Sequence, residues 1–169
     1  MQAKLDAKDR AILGLLQKDC KLTAREIATK IDSPITTVFA KIKRMEDLEV
    51  IREYRAVLDP KKLDRGTAAF ILASVTYGAK NGEQPFSQRE RAAEIAKFEE
   101  VQEVHIITGD WDLLIKLRAE SVSSIGQFVI DKLRFIKGIE KTLTRMVFET
   151  IKESTEIPIK AQRDSQNRR

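Results

Sequence analysis

The chain has 169 residues, 42% of them hydrophobic and 34% charged, which is typical of one folded domain or two small ones and not of a disordered chain. Its longest apolar stretches, such as Phe70 to Val75, are too short to span a bilayer, and the N-terminus lacks the apolar core of a signal peptide, so we expect a cytoplasmic protein without membrane contact. The single cysteine, Cys20, excludes an internal disulfide, and the single histidine, His105, argues against a histidine-rich metal site and Ser-His-Asp catalysis, so we expect no catalytic residues, metal or cofactor.

The net charge of +5 is distributed unevenly. Residues 1–65 carry 15 Lys/Arg and 11 Asp/Glu, residues 66–158 carry 12 and 14, and the tail from Ile159 carries 4 and 1. Basic ends around a mildly acidic centre indicate that a polyanion would bind the N-terminal part, with help from the tail. Basic patches are also common on solvated faces, so charge alone leaves both interpretations open.

Two helices are predicted first. Apolar residues recur on one face of residues 7–17, and Asp6 is placed to cap that helix. Thr23, followed three residues later by Glu26, is a capping box for a second helix. The first is an introductory helix, and the second is the first helix of a helix-turn-helix unit.

A third helix is predicted from Ser33, whose hydroxyl can cap it ahead of a proline, to about residue 48. Val38, Ile42 and Met45 repeat at the i, i+4, i+7 spacing and must face the core. The opposite face is small, hydroxylated and basic, which suits a helix entering the DNA major groove. The alternative is an ordinary solvated face. The predicted DNA contacts on this helix are Ser33, Thr36, Thr37, Ala40, Lys41, Lys43 and Arg44.

The segment after this helix, residues 50–58, alternates as a strand would and is predicted to form the wing. Arg52 and Arg55 point away from its apolar positions and are predicted to contact DNA phosphates. Basic residues around a linker are as often merely solvated.

The second half of the chain predicts the order strand, helix, strand, strand, helix, strand, which is the ferredoxin-like βαββαβ plan. Such a sheet is antiparallel and carries both helices on one face, so a second copy could cover the other in a C₂ dimer. The predicted elements are a strand over 68–77, a loop over 78–87, a helix with a capping box of Ser87 and Glu90, strands over 101–107 and 113–117 flanking a tight connection, a helix from Ser121 to Gly138, and a strand over 139–151.

The predicted fold class is therefore α+β, with an N-terminal winged helix-turn-helix and a C-terminal ferredoxin-like domain. The predicted boundaries are 1–52 for the helix-turn-helix domain, 53–65 for the wing or linker strand, 66–152 for the dimerisation and sensing domain, and 153–169 for a basic tail.

Two groups of residues together form a specific signature. The C-terminal group is Val104 to Leu114, containing Thr108-Gly109-Asp110-Trp111-Asp112. The N-terminal group is Leu5-Asp6, Asp9, Ile12-Leu13, Leu16-Gln17, Asp19, Ile27-Ala28, Ser33, Thr37-Val38, Lys41-Ile42, Arg44 and Glu46. With these residues the chain resembles the Lrp/AsnC family, the leucine-responsive or feast/famine regulators of bacteria and archaea, over roughly residues 5–152.

The resemblance implies a transcription regulator that binds double-stranded DNA as a homodimer, often assembled into tetramers or octamers, and whose RAM/ACT-like domains bind an amino acid or related metabolite between subunits. It places Thr108, Gly109, Asp110 and Asp112 in the effector pocket. Loop N–H groups can hold a carboxylate while an aspartate faces an ammonium group. The alternative is that these residues only build a hairpin turn, with Trp111 filling a core or interface.

The chain departs from the family pattern at two places. Glu49 stands where the family usually has the glycine that closes the recognition helix, so we expect a different turn or a longer helix there. The loop over residues 78–88 is longer than usual.

Two other function classes compete with a regulator. Siroheme decarboxylases are similar to this family in overall plan, but their chemistry needs histidine and arginine groups around a porphyrin, and His105 lies in an alternating strand where side-chain packing is expected. Absorbance on adding the tetrapyrrole tests this alternative. A nonspecific architectural DNA binder would use the same basic face without a metabolite, and competition between specific and random duplexes tests that one.

Overall fold

The computed structural model describes residues 4–76 and 87–159. The chain divides into two units: Met1–Val57 with Glu153–Arg169, and Leu58–Lys152. Among the described residues, no helix has the length and apolar character needed to cross a membrane.

The described part of the N-terminal unit has three helices, and two of them begin with capping boxes. The Asp6 carboxylate accepts from the Asp9 N–H at 2.8 Å, and the Asp9 carboxylate accepts from the Asp6 N–H at 2.9 Å. Thr23 and Glu26 pair in the same reciprocal way. Both predicted helix starts are confirmed. The helices are α1 (Ala7–Leu16), α2 (Ala24–Lys30) and α3 (Ile35–Asp47).

The start of α3 differs from the prediction. Pro34 is the N-cap residue, and α3 has no side-chain cap. Ser33 therefore lies one position outside the cap, and its hydroxyl accepts a hydrogen bond from Lys8 Nζ at 3.1 Å instead. The capping role predicted for Ser33 is wrong, because the helix begins one residue later than the Ser-Pro pair suggested.

The end of α3 also differs from the expectation. Glu49 has φ +54° and occupies the left-handed position itself. The Val50 N–H donates to the Met45 carbonyl at 2.9 Å and the Glu49 N–H donates to the Glu46 carbonyl at 2.9 Å, which is the Schellman pattern. The turn usual for glycine is therefore kept, with glutamate in a conformation that glycine adopts more easily.

The core of this unit is small and mostly apolar. Partly buried residues such as Leu5, Ile42 and Val50 surround it. The fully enclosed apolar side chains are Ile12, Leu16, Ile27, Ala28, Val38 and Met45.

The segment that follows α3 is not a strand. Residues 52–59 have no regular secondary structure, and Pro60–Leu63 form a 3₁₀ turn. The strand predicted over residues 50–58 is wrong, because no other described segment of the chain pairs with these residues, and a strand requires such a neighbour. Val57 remains 93% exposed.

The chain returns to the N-terminal unit near its end. The Gln17 side-chain amide accepts from the Ile157 N–H at 2.8 Å and donates to the Ile157 carbonyl at 3.1 Å. One side chain thus fixes both backbone groups of a residue 140 positions away.

Among the described residues, the C-terminal unit has a four-stranded antiparallel sheet in the spatial order Val101–Ile106 (β2), Leu113–Ala119 (β3), Thr67–Val75 (β1) and Ile139–Met146 (β4). This confirms the ferredoxin-like α+β plan. The elements are β1 (Thr67–Val75), α4 (Gln88–Ile95), β2 (Val101–Ile106), β3 (Leu113–Ala119), α5 (Val122–Gln127), a π turn (Phe128–Lys132), a 3₁₀ turn (Leu133–Phe135) and β4 (Ile139–Met146).

One face of the sheet packs on the helices, and alternate residues such as Ile71 and Ile115 are completely buried there. The other face carries half-buried apolar residues in register: Leu72 lies between Leu143 and Leu114. Directly opposed residues share a face, so these leucines form one cross-strand row.

Several boundaries in this unit differ from the predictions. Ser87 precedes α4 but makes no side-chain cap, so the predicted capping box with Glu90 is wrong. Ser121 does cap α5, accepting from the Ser124 N–H at 3.1 Å. The strand predicted over 139–151 ends at residue 146, near the start of its neighbour β1. Most of the predicted long loop over 78–88, and the tail beyond residue 159, lie outside the described residues.

Candidate DNA-binding helix and effector-binding turn

The two sides of α3 have opposite chemistry. Val38 and Met45 are fully buried. Thr36, Ala40 and Lys43 lie on the opposite side and are exposed. Thr37 and Ile42 are half-buried at the flanks, so Ile42 borders the core and is not enclosed by it.

A buried carboxylate fixes α3 against α1. Asp9 is completely buried, and its two oxygens contact Lys41 Nζ at 2.9 Å and Arg44 Nη1 at 3.2 Å. Arg44 Nη2 also donates to the Lys4 carbonyl at 3.0 Å. A buried charge is tolerated only when it is paired and hydrogen-bonded, and Asp9 meets both conditions. Lys41 and Arg44, both predicted to contact DNA, are therefore also part of the framework that orients α3.

Electrostatics reinforce this contact. Lys41 Nζ also lies 2.5 Å from Asp6 Oδ2. The hydrogen bond with Lys41, followed by that from the Asp9 N–H, lowers the pKa of the Asp6 carboxyl. The hydrogen bond with Asp6 raises the pKa of Lys41. Both groups are thus held in their charged forms.

The remaining predicted DNA contacts lie apart from this framework. Arg52 and Arg55 are exposed in the segment after α3, and Arg55 forms an ion pair with Glu53. Tyr54 Oη donates to Glu46 Oε1 at 2.8 Å, so the same segment is tied back to the last turn of α3. Burial, and then the Glu46 hydrogen bond, raise the pKa of Tyr54 to about 12.

Sequence reasoning missed two apolar residues of α3. Phe39 is 64% exposed and Ile35 is 44% exposed. A helical wheel contained the signal, because successive residues are about 100° apart and Phe39 therefore cannot share the buried stripe of Val38.

The candidate effector-binding turn joins β2 to β3. Thr108, Gly109 and Asp110 are exposed there. Gly109 has φ +113°, a backbone conformation that residues with a Cβ rarely adopt. A Cβ at Gly109 would meet nothing within 4 Å in this chain. The turn therefore presents open backbone.

Asp112 anchors that turn. Its carboxylate accepts from the Val75 N–H at 2.7 Å and from Gln88 Nε2 at 2.6 Å. The Asp112 backbone is also held by two hydrogen bonds. Its N–H donates to the Ala73 carbonyl of β1, and its carbonyl accepts from the Ile107 N–H, which follows β2. The end of β1 and the start of α4 thus fix the position of the predicted effector residues.

His105 does not pack as predicted. Its side chain is 54% exposed and its Nε2 lies 3.1 Å from Glu103 Oε2, because β2 is an edge strand with little covering it. Within residues 4–76 and 87–159, no group of three or more His, Cys, Asp or Glu side chains is arranged to hold a metal ion.

Two family models match the chain. A winged helix-turn-helix DNA-binding model covers residues 5–52, and the Lrp/AsnC ligand-binding domain covers residues 70–157. The chain belongs to the Lrp/AsnC family. It is a DNA-binding transcription regulator of the Lrp/AsnC type.

Individual relatives of this Lrp/AsnC protein match over nearly their whole length. An HTH-type transcriptional regulator of Pyrococcus abyssi is 41% identical, with 88% of this chain and 96% of the relative covered. The regulator FL11 of the same organism is 36% identical, covering 95% and 100%. A transcriptional regulator of Neisseria meningitidis, solved in complex with L-Met, is 29% identical with a TM-score of 0.82, covering 92% and 97%.

Proposed function

We propose that this Lrp/AsnC protein is a homodimer that binds double-stranded DNA through α3, and that an amino acid bound at the turn of residues 108–112 changes its DNA affinity without any catalytic step. The outer face of α3 is the observation that carries the proposal. Thr36, Ala40 and Lys43 are exposed there, opposite the buried Val38 and Met45. Small and hydroxylated residues allow close approach to base edges, and lysine neutralises phosphate.

The DNA contacts divide into two groups. Lys43, Thr36, Thr37 and Ala40 would contact DNA directly, with Arg52 and Arg55 on neighbouring phosphates. Lys41 and Arg44 would orient α3 through Asp9 while adding positive charge beside the groove. Ser33, held by Lys8, would lie at the helix start near the backbone.

Variants of two cations test this division. Lys43→Ala should leave the melting temperature unchanged, weaken binding to all duplexes, and reduce the slope of log affinity against log salt by about 1. Arg44→Ala should lower both affinity and stability, because its guanidinium contacts Asp9. Lys97→Ala, which removes an exposed cation of the C-terminal unit, is the matched control. Unchanged affinity in the Lys43 variant would refute the proposed face.

Dimerisation is proposed through the sheet face that carries Leu72, Leu114 and Leu143. A cross-strand row of leucines is better covered by apolar surface than by water. Leu72→Glu should convert the dimer to a monomer in sedimentation, whereas Glu140→Gln, at an exposed site on β4, should leave the dimer intact. A wild-type protein that sediments as a monomer would contradict this proposal.

Effector binding is proposed at Thr108, Gly109 and Asp110, with Asp112 positioning them. Exposed loop N–H groups suit a ligand carboxylate, and the Asp110 carboxylate suits an ammonium group. The L-Met complex of the Neisseria meningitidis regulator supports an amino acid as the ligand class. Asp112 would position the turn and not contact the ligand, since its carboxylate oxygens already accept hydrogen bonds from Val75 and Gln88.

Calorimetry with the twenty amino acids, paired with a DNA-shift assay, tests effector binding. Asp110→Asn should weaken ligand binding and leave the melting temperature unchanged. Asp112→Asn should lower both the ligand affinity and the melting temperature, because it alters the hydrogen bonds that anchor the turn. The coupling between ligand and DNA should amount to about 1–3 kcal/mol. A ligand whose affinity neither variant changes would place the pocket elsewhere.

A further inference from the structure

The most exposed apolar side chain of α3 lies among the candidate DNA contacts. Phe39 is 64% exposed. On a helix, positions three and four residues apart are neighbours, so Thr36 and Lys43 flank Phe39 on the outer face. Ile35, itself 44% exposed, precedes it by one turn. The packing of the N-terminal unit therefore leaves most of the phenyl ring exposed.

Burying this exposed ring against an apolar group of a partner would recover free energy. The core of the unit does not use Phe39, since Val38 and Met45 fill the side of α3 that faces α1 and α2. The neighbour of the ring toward the outer face, Thr36, is short and exposed, so this side of the ring is accessible. Its surroundings are also cationic, because Lys43 lies one turn beyond it and residues 4–52 carry 11 Lys/Arg against 8 Asp/Glu.

We infer that Phe39 reads the C5-methyl group of a thymine in the major groove, with Ile35 extending the same apolar contact, so that these two residues set part of the sequence preference. The inference rests on the proposed DNA-binding role of α3. The major groove offers one apolar group, the thymine methyl, and side chains such as phenylalanine recognise it by contact. Positive charge beside the ring matches a polyanion and not an apolar protein surface.

The role differs from that of the cations on the same helix. Lys43 would contact phosphate and carry no sequence information. Phe39 cannot donate or accept a hydrogen bond, so it would discriminate thymine from cytosine by the methyl group alone. Loss of Phe39 should therefore relax specificity at one base pair of each half-site, while loss of Lys43 should weaken all sequences alike.

The experiment removes the methyl group from the DNA and the ring from the protein. Duplexes bound by the wild-type protein are selected from a random pool, and each thymine of the preferred site is then replaced by deoxyuridine, which keeps base pairing and lacks only the methyl. At one position in each half-site the wild-type affinity should fall about threefold to fivefold, the effect of burying one methyl group. Phe39→Ala should bind the thymine site more weakly and show no further loss with deoxyuridine.

Controls separate this effect from folding. Leu48→Ala, which removes a side chain 48% exposed at the end of α3 but off its outer face, should retain the wild-type response to deoxyuridine. Phe39→Gln keeps the length of the side chain without its apolar surface and should behave like Phe39→Ala. Melting curves establish that each variant is folded, and the deoxyuridine series with the wild-type protein requires no variant.

The possible failures are distinguishable. If the wild-type protein selects no duplex, the proposed DNA-binding function fails and this inference fails with it. If DNA is bound but no deoxyuridine substitution lowers affinity, the methyl contact is refuted while the DNA-binding role stands. If Phe39→Ala and Phe39→Gln keep the wild-type sensitivity, another residue reads the methyl group and the assignment to Phe39 is wrong.

Discussion

The two units of this protein hold their functional segments in place by different means. In the N-terminal unit, six enclosed apolar residues form a small core, and the buried Asp9 adds ionic contacts that fix the orientation of α3. In the C-terminal unit a larger apolar layer lies between sheet and helices, and the Asp112 carboxylate anchors a surface turn. Small domains bury a smaller fraction of their surface, so a directional ionic contact has more influence in the first unit than in the second.

The largest expected effect is the loss of a core side chain from the smaller unit. Met45→Ala removes a completely buried side chain and should lower the free energy of unfolding of the N-terminal unit by about 2–5 kcal/mol, a large share of the stability of so small a domain. Urea denaturation followed by hydrogen exchange in α1–α3 measures this. Ile42→Ala should cost clearly less, since Ile42 is only half-buried, and equal losses would show that the flank of α3 is packed more tightly than described.

Removal of the buried carboxylate should have the next largest effect. Asp9→Ala deletes the acceptor shared by Lys41, Arg44 and the Asp6 N–H, and should cost about 1.5–3 kcal/mol, the range for hydrogen bonds to a charged group. The same urea experiment applies, with Asp47→Ala as a control at an exposed acid of α3. If the two variants had the same stability, the ionic contacts of Asp9 would not stabilise the N-terminal unit.

A substitution that relieves backbone strain should stabilise the N-terminal unit. Glu49 has φ +54°, so Glu49→Gly should raise the free energy of unfolding by about 1 kcal/mol. Asp47→Gly lies two residues earlier, at the last position of the helix, where glycine has a lower helix propensity than aspartate and should instead cost about 0.3 kcal/mol. Thermal melts of the two variants should therefore shift in opposite directions, and a shift in the same direction would argue against a strained cap.

The smallest expected effect is a dependence on pH in both units. The hydrogen bond with Lys41 lowers the pKa of Asp6 in the folded protein. Hydrogen bonds with Lys116 and then His105 lower the pKa of Glu103. Each carboxyl therefore contributes stability that is fully present above its unfolded value, about 3.9 for Asp and 4.3 for Glu, and is lost as pH falls through the folded value. The exposure of these groups keeps each contribution below about 1 kcal/mol.

Paired variants assign this acid response to its sources. Asp6→Asn should reduce the loss of unfolding free energy at acid pH in the N-terminal unit. Glu103→Gln should do the same in the C-terminal unit. At alkaline pH the change in stability comes from Lys41, whose pKa is raised in the folded state. Its contribution to stability is complete below about pH 10.4 and is lost as pH rises through the folded pKa. Stability profiles from pH 2 to 12 that both variants leave unchanged would eliminate these pairs as contributors.

The sequence by itself determined the features that depend on neighbouring residues. The capping boxes at Asp6 and Thr23 lie within one helical turn, and the buried stripe of α3 at Val38 and Met45 follows from the helical period. The βαββαβ order likewise follows from alternating and helical periodicities read in sequence. The site residues predicted on α3 come from the same periodicity, and those predicted in the turn from Thr108 come from the family resemblance; both remain predictions.

Only the tertiary structure decided which polar groups meet across the fold. Asp9 is 32 residues from Lys41 and 35 from Arg44, and Asp112 is 37 from Val75, so no local pattern connects them. The same holds for Ser33, whose hydroxyl is bound by Lys8 and not by its own helix. Side chains can exchange one hydrogen-bond partner for another at little cost, and the choice is made by whichever partner the packing of helices and strands brings within about 3 Å.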